Sequence, residues 1–362
     1  MFSLLLPSAL AACPVMPWPW DEWHLADTAL DADAVAALEA YAFTPELNDE
    51  ERAGVRTQSV LVVQDGHILY ERYDRGVGPE NRQLTWSVSK TYTAALAGVA
   101  VEQGVLDVQD SVCEHLPATP QERCDITVKD VLEWGTGLHW KETYENEPPT
   151  TSSVIAMLYG EGRMDMAQFT LAHPVVTPPG ESYMYSTGDS NVLAALAQTT
   201  LEPVGGERWA HDLLFDRIGA PGTVFEEDGS GVPSGGSYVW ATPRDMARFG
   251  QLLLADGCTG EERLLPEGWV EWMVEGNDAH AQRDRDGHDE VPGRHVWPNR
   301  LRADGTRPWP AAPADMFKAS GHWGQAIIVV PSRDLVVIRT ADDRDGSFST
   351  NHFMELVLGM VE

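Results

Sequence analysis

Two residues three positions apart, Ser87 and Lys90, carry the clearest chemical potential in the chain. They lie in Thr85-Trp86-Ser87-Val88-Ser89-Lys90, at the head of a run, 88–103, that is almost wholly small or apolar and lacks proline. Gly104 follows as a C′ stop. Residues three apart share a helix face, so the ammonium can reach the hydroxyl. A helix with so little polar surface is buried, and a lysine in a dry setting titrates low enough to take a proton from serine. The helix N-terminus also aims free N–H groups at that point, which favours a developing oxyanion. One helical turn would thus hold a nucleophile, a base and an anion site. Ser-x-x-Lys is a weak signal alone, even where the only lysines are Lys90, Lys129, Lys141 and Lys318. The plain alternative has Ser87 capping a core helix and Lys90 snorkelling to the surface.

Two further stretches supply the missing context. One is Tyr183-Met184-Tyr185-Ser186-Thr187-Gly188-Asp189-Ser190-Asn191, rich in aromatic and hydroxyl groups ahead of a helix. The other is Ser320-Gly321-His322-Trp323-Gly324-Gln325, expected to open an edge-type strand. Together the three resemble the serine hydrolases grouped with class C β-lactamases, D-alanyl-D-alanine carboxypeptidases and related esterases, and within them the 6-aminohexanoate-dimer hydrolase branch. Ser87-Val88-Ser89-Lys90 matches the first motif of that family, Tyr185-Ser186-Thr187 the second and His322-Trp323-Gly324 the third, in the family's order. Segments 87–116, 126–138, 178–196, 241–250 and 313–337 also read like family segments, so the resemblance runs from about residue 57 onward.

The resemblance implies a metal-free, cofactor-free serine hydrolase that forms an acyl-enzyme on a small amide or ester. Ser87 would be the nucleophile, and Lys90 would accept its proton directly or through Tyr185. Tyr185 would pass a proton to the leaving group; Tyr183 is the rival for that role. The backbone N–H groups of Ser87 and Gln325 would form the oxyanion hole. Gly324 would let substrate lie against the strand, His322 and Trp323 would line the pocket, and Tyr144 sits in a loop that approaches substrate in the resembled branch. Thr187 stands where penicillin-recognising members carry Asn, and His322 where they carry Lys. These departures favour an amidase or esterase over a β-lactamase or D-alanyl-D-alanine carboxypeptidase. A non-catalytic binding or sensor protein is the alternative of another class, although it would have no need of Ser87, Lys90 and Tyr185 together.

Composition narrows the partners. Acidic residues outnumber basic ones 56 to 25, a net charge of −31, which argues against nucleic acid or an anionic membrane. No Gly-x-Ser-x-Gly elbow, His-Glu-x-x-His or Cys-x-x-Cys pattern occurs. The start, Met1-Phe2-Ser3-Leu4-Leu5-Leu6-Pro7-Ser8-Ala9-Leu10-Ala11-Ala12-Cys13, resembles a bacterial lipobox, although no Lys or Arg precedes Arg52. It suggests export, lipidation at Cys13 and anchorage in the cell envelope, with a cytoplasmic chain as the alternative. Cys113 and Cys124 bracket a short loop and could bridge, which would leave Cys258 as a half-buried thiol.

The elements that must position these residues have readable signals. After the leader and linker, 1–22, a helix is expected over 31–41, then a hairpin of 59–63 and 68–73 about Asp65-Gly66. From 105 to 225 the patterns are mostly helical: 128–134, 151–158, 164–173, 190–200 and 208–218. Thr242-Pro243-Arg244-Asp245 starts another helix with a cap, Pro at N1 and Asp at N3. Region 276–315 is too irregular to assign; 326–330 and 335–340 form a second hairpin, and a helix over 351–360 closes the chain. Strands at both ends with helices between imply an α+β hydrolase domain over 23–362. In it an antiparallel sheet, made by the N- and C-terminal parts and flanked by helices, carries an inserted helical subdomain.

Overall fold

The computed structural model describes residues 13, 18–19, 22–44, 50–145, 148–260, 262–277 and 291–361. The leader 1–12, most of the linker and 278–290 of the irregular region lie outside the described residues. Helix α1 (Ala32–Ala42) starts where an Asp31 side-chain oxygen accepts the amides of Asp33 and Ala34 at 3.0 and 2.9 Å. Strands β1 (Thr57–Gln64) and β2 (His67–Tyr73) follow. Between them Asp65 and Gly66 take φ of 50° and 74°, the type I′ geometry that Asp-Gly favours. The core helices are α2 (Ser89–Glu102), α3 (Thr187–Gly205) and α4 (Pro243–Leu254). In α4 the Thr242 hydroxyl accepts the Asp245 amide at 3.1 Å, with Pro243 in the first turn, as its sequence predicts. The chain ends with β3 (Trp297–Pro298), β4 (Phe317–Gly321), β5 (Gln325–Val330), β6 (Leu335–Ala341) and α5 (Thr350–Val361).

Among the described residues the main sheet is antiparallel, in the order β2-β1-β6-β5-β4-β3. Thr57 lies opposite Ala341 and Gln64 opposite Leu335, so the two ends of the chain share one sheet. Alternate side chains divide between two cores. Leu61, Val63, Ile327 and Val336 join α2, α3 and α4, whereas Val60, Val62, Ile328 and Val337 join α1 and α5. With both faces covered, 326–330 in β5 and 335–338 in β6 read as unbroken apolar runs and not as an alternation. Between the two ends lie α3 and shorter helices such as Val128–Leu132, Ser153–Tyr159 and Met166–Leu171. The fold is α+β.

Four expectations need correction. Ser87 is not inside α2 but in a 3-10 turn, Trp86–Val88, immediately ahead of it. His322-Trp323-Gly324 does not open an edge strand: it is the turn joining β4 to β5, and β5 lies inside the sheet. β4 itself, Phe-Lys-Ala-Ser-Gly, gave no strand signal because it carries no β-branched residue. The amphipathic pattern 208–218 breaks into a turn at Gly206–Arg208 and a π-helical turn at His211–Phe215.

The fourth correction concerns the cysteines. Cys113 bridges Cys124, and Cys13 bridges Cys258, which is buried. The Cys13 sulfur is therefore bonded to Cys258, and one sulfur cannot hold both a disulfide and a lipid thioether. The linker is pinned as well: Trp18 Nε1 donates to the Ile218 carbonyl at 3.3 Å and Arg248 Nε to that of Pro19 at 2.9 Å.

Helix α4 crosses the sheet at Gly250, where an added Cβ would lie 2.5 Å from a Val336 methyl and 3.1 Å from one of Ile327. Alanine gains about 1 kcal/mol over glycine in helix propensity, whereas overpacking against a stiff β-branched residue in a packed sheet costs about 1–3 kcal/mol. Gly250→Ala is therefore expected to destabilise, with a lower midpoint in urea unfolding followed by circular dichroism.

Candidate active site

The turn that carries Ser87 is clamped from several directions. The Thr85 amide and hydroxyl both donate to the Val239 carbonyl, at 2.9 and 2.8 Å. The Val239 amide donates to Ser89 Oγ at 2.9 Å. Between these anchors Trp86 is held at φ 49°, a left-handed conformation uncommon for a bulky residue. Strain of this kind persists only where the surroundings over-determine it. Here the Trp86 ring meets Trp323 at 5.1 Å and His322 at 5.7 Å, both edge-on. Strand β4 closes the other side: a Cβ on Gly321 would lie 2.2 Å from the Thr85 carbonyl oxygen. The absent side chain at Gly321 lets the strand end abut the turn of Ser87.

Lys90 is buried, 1% exposed. Its Nζ lies 3.0 Å from Ser87 Oγ, 2.8 Å from Thr187 Oγ1 and 2.7 Å from the Gly236 carbonyl. Burial pulls its pKa down to about 8, against the opposing charge of Glu142. Ser87 is half-buried, and its hydroxyl meets the amine. The surface-snorkelling alternative for Lys90 is excluded by these contacts.

The second motif is brought in by the start of α3. Ser186 Oγ accepts the Asp189 amide at 2.9 Å, which caps the helix and fixes the loop before it. Tyr185 is half-buried, with the centre of its ring 5.0 Å from Lys90 Nζ and packed on Trp134 at 4.8 Å. Tyr183, its rival, is 1% exposed and lies in an aromatic core with Trp134. Burial pushes the Asp189 carboxyl up to about 7, although Thr136 and Ser186 hydrogen-bond it.

The third motif divides between two tasks. His322 lies between Trp86 and Tyr144: its ring is 5.7 Å from that of Trp86 and 5.0 Å from that of Tyr144, and Nε2 is 2.9 Å from Glu145 Oε1. Trp323 packs on Trp86 and beneath the Arg344 guanidinium. Gly324 has a task in the fold itself. It sits at φ 91°, and a Cβ there would strike the Asp343 carboxylate at 2.3 Å and Arg339 at 2.4 Å. Those two form a buried ion pair of 2.6 Å, so the fold beneath the turn requires the glycine. The Gln325 side chain is likewise structural, donating to the Ala341 carbonyl at 2.6 Å and accepting its amide at 3.2 Å.

Two groups that reach the site carried no signal of their own. Glu142 accepts from Tyr144 OH at 2.8 Å, from the Thr187 amide at 2.9 Å and from Trp140 Nε1 at 2.5 Å, and also from the Thr187 hydroxyl. Burial and that carboxylate hold the Tyr144 phenol well above its ordinary pKa, so it donates throughout the neutral range. His295 is buried behind α3. Its Nδ1 meets the Leu132 carbonyl at 2.9 Å and its Nε2 meets Ser190 Oγ at 2.9 Å. Burial lowers its pKa to about 3, which keeps the ring neutral. Glu142 is one residue in an acidic chain, and His295 falls in a region without periodicity. Only the folded chain singles them out.

Known proteins resemble this chain in sequence and in fold. A curated relative, the 6-aminohexanoate-dimer hydrolase of Paenarthrobacter ureafaciens, is 25% identical over 350 residues, which cover 92% of this chain and 84% of the relative. Among solved structures, a family VIII carboxylesterase superposes with a TM-score of 0.65 at 14% identity, over 92% of this chain and 99% of its own. A penicillin binding protein from Bacillus halodurans superposes with a TM-score of 0.60 at 14% identity, over 84% and 95%. The family model described as Beta-lactamase matches residues 36–353. The chain belongs to the beta-lactamase family.

Proposed function

We propose that this protein is a serine hydrolase that opens an amide or ester through an acyl-enzyme on Ser87. The observation that carries this reading is the 3.0 Å contact between Ser87 Oγ and a buried lysine amine whose other two partners can only hold it in place. Lys90 takes the serine proton as Oγ attacks the carbonyl carbon. Tyr185, packed beside the amine, is assigned to proton transfer at the leaving group. The backbone N–H groups of Ser87 and Gln325 are assigned to the oxyanion. His322, Trp323 and Tyr144 form the aromatic surround of the acyl group.

The 6-aminohexanoate-dimer hydrolase relative and the carboxylesterase neighbour support the choice of an amide or ester. Thr187 and His322, in place of the Asn and Lys of the penicillin-recognising pattern, weigh against β-lactams as the main substrate. The two disulfides support an oxidising compartment as the working place.

A panel of p-nitrophenyl esters, linear amides and β-lactams, run against wild type and Ser87→Ala, tests the reading. Ser87→Ala should lose all turnover and all fluorophosphonate labelling with an unchanged circular dichroism spectrum. Lys90→Ala should lose at least several hundred-fold in kcat/KM. An active Ser87→Ala protein would overturn the assignment.

The pH profile follows from the sign of the Lys90 shift. Only the neutral amine accepts a proton, and its fraction grows as pH rises towards about 8. Between pH 6 and 7.5 kcat/KM should climb about tenfold per pH unit, then level off above 8. A rate that falls steadily from pH 6 to 9 would contradict Lys90 as the base.

A further inference from the structure

We propose that Glu142 is a positioning residue for the Lys90 base: it takes the single hydroxyl proton of Thr187, which leaves Thr187 only an acceptor towards Lys90 and turns the lysine lone pair onto Ser87. This rests on the serine-hydrolase reading above.

Trp140 Nε1, the Thr187 amide, the Tyr144 hydroxyl and the Thr187 hydroxyl all converge on the two oxygens of Glu142. The indole and the amide can only donate, and a carboxylate has lone pairs for all four groups where a carboxamide does not. Thr187 has one hydroxyl hydrogen, and it points at Glu142. The 2.8 Å contact between Thr187 Oγ1 and Lys90 Nζ is therefore donated by the lysine. The Gly236 carbonyl, 2.7 Å away, is an acceptor by nature. Two of the amine's tetrahedral positions are thus filled by N–H groups in the neutral state. The remaining position, the lone pair, faces Ser87 Oγ at 3.0 Å. As the Oγ–C bond forms, the Oγ–H bond breaks, the proton joins Nζ, and the carbonyl π pair moves to oxygen as a tetrahedral oxyanion.

Glu142 has a second, opposing effect. The groups facing Lys90 are the Tyr185 ring, Thr187, the Gly236 carbonyl, the neutral His295 and Glu142, with Tyr144 and Asp189 behind the carboxylate. Of these, the Glu142 charge is what holds the proton on the amine against burial. Removing it disorders the lone pair and at the same time lets the amine deprotonate at lower pH. A residue that merely packs the loop would do the first without the second.

The test measures kcat, KM and the pH profile of p-nitrophenyl acetate hydrolysis from pH 5.5 to 10 for the full chain. The variants are Glu142→Gln, Thr187→Val and Thr187→Ser, each checked by circular dichroism and by fluorophosphonate labelling of Ser87. Glu142→Gln is expected to lose about 10²-fold in kcat, the scale of a misaligned reacting pair, with KM within about threefold. Its acid-limb midpoint should move to lower pH. Thr187→Val should show the same loss in kcat, and Thr187→Ser, which keeps the hydroxyl, should recover to within about tenfold of wild type. An unmoved midpoint in Glu142→Gln, a loss confined to KM, or a Thr187→Val protein as active as wild type would overturn the inference. Should Glu142→Gln fail to fold, the Thr187 pair decides. If wild type neither labels nor turns over any ester, the hydrolase reading itself falls and takes this inference with it. If wild type does both and the variants keep its profile, only the inference falls.

Discussion

The structure depends on one costly arrangement, a lysine amine removed from water and held 3.0 Å from a serine hydroxyl. An ammonium in that setting loses hydration that its neighbours only partly replace, so it gives up its proton more readily than in water. The surroundings are built to tolerate it. Around the amine stand an uncharged hydroxyl, a backbone carbonyl and the face of an aromatic ring, with the compensating carboxylate one hydroxyl further away. A carboxylate in direct contact would hold the proton on the lysine; one at a remove orders the hydrogen bonds and opposes the shift only in part.

The same site shows how a sheet and a helix are brought together at a reactive point. Helix α2 is lined with alanine, glycine and valine, so neighbouring elements can approach it closely. A Cβ on Gly98 would lie 2.7 Å from the Trp269 indole. On the sheet side Gly321 permits the end of β4 to meet the Thr85 carbonyl, and Gly324 permits the turn above the Arg339–Asp343 pair. These glycines mark close approaches of rigid parts. They explain why a strained Trp86 can be held next to the nucleophile: the turn has no room to relax.

Much of the frame was legible from local pattern. The Asp65-Gly66 hairpin, the Thr242-Pro243 helix start and the apolar run after Ser87 each carry their own short-range instruction, and each formed as read. Signals failed where packing overrides propensity. Phe317–Gly321 has the composition of a loop, yet it pairs because β5 offers an edge and because its lysine can lie over the Trp309 ring at 4.6 Å. The stretch around His295 shows no period because its buried polar groups are satisfied by distant partners, Leu132 and Ser190, not by its own backbone repeat.

The sequence by itself determined the class of fold, the order of the three motifs and the identity of the serine–lysine pair. Those follow from residue types and short spacings, which act within a helical turn or a hairpin. Only the tertiary structure decided the rest: that Cys13 pairs with Cys258, that Gly324 serves an ion pair, and that Glu142 stands behind Thr187. Those contacts join residues 15 to 245 positions apart, and no local pattern encodes which distant atom will fill a given lone pair. Their chemistry is set by burial and by hydrogen-bond direction, and both come into being when the chain closes on itself.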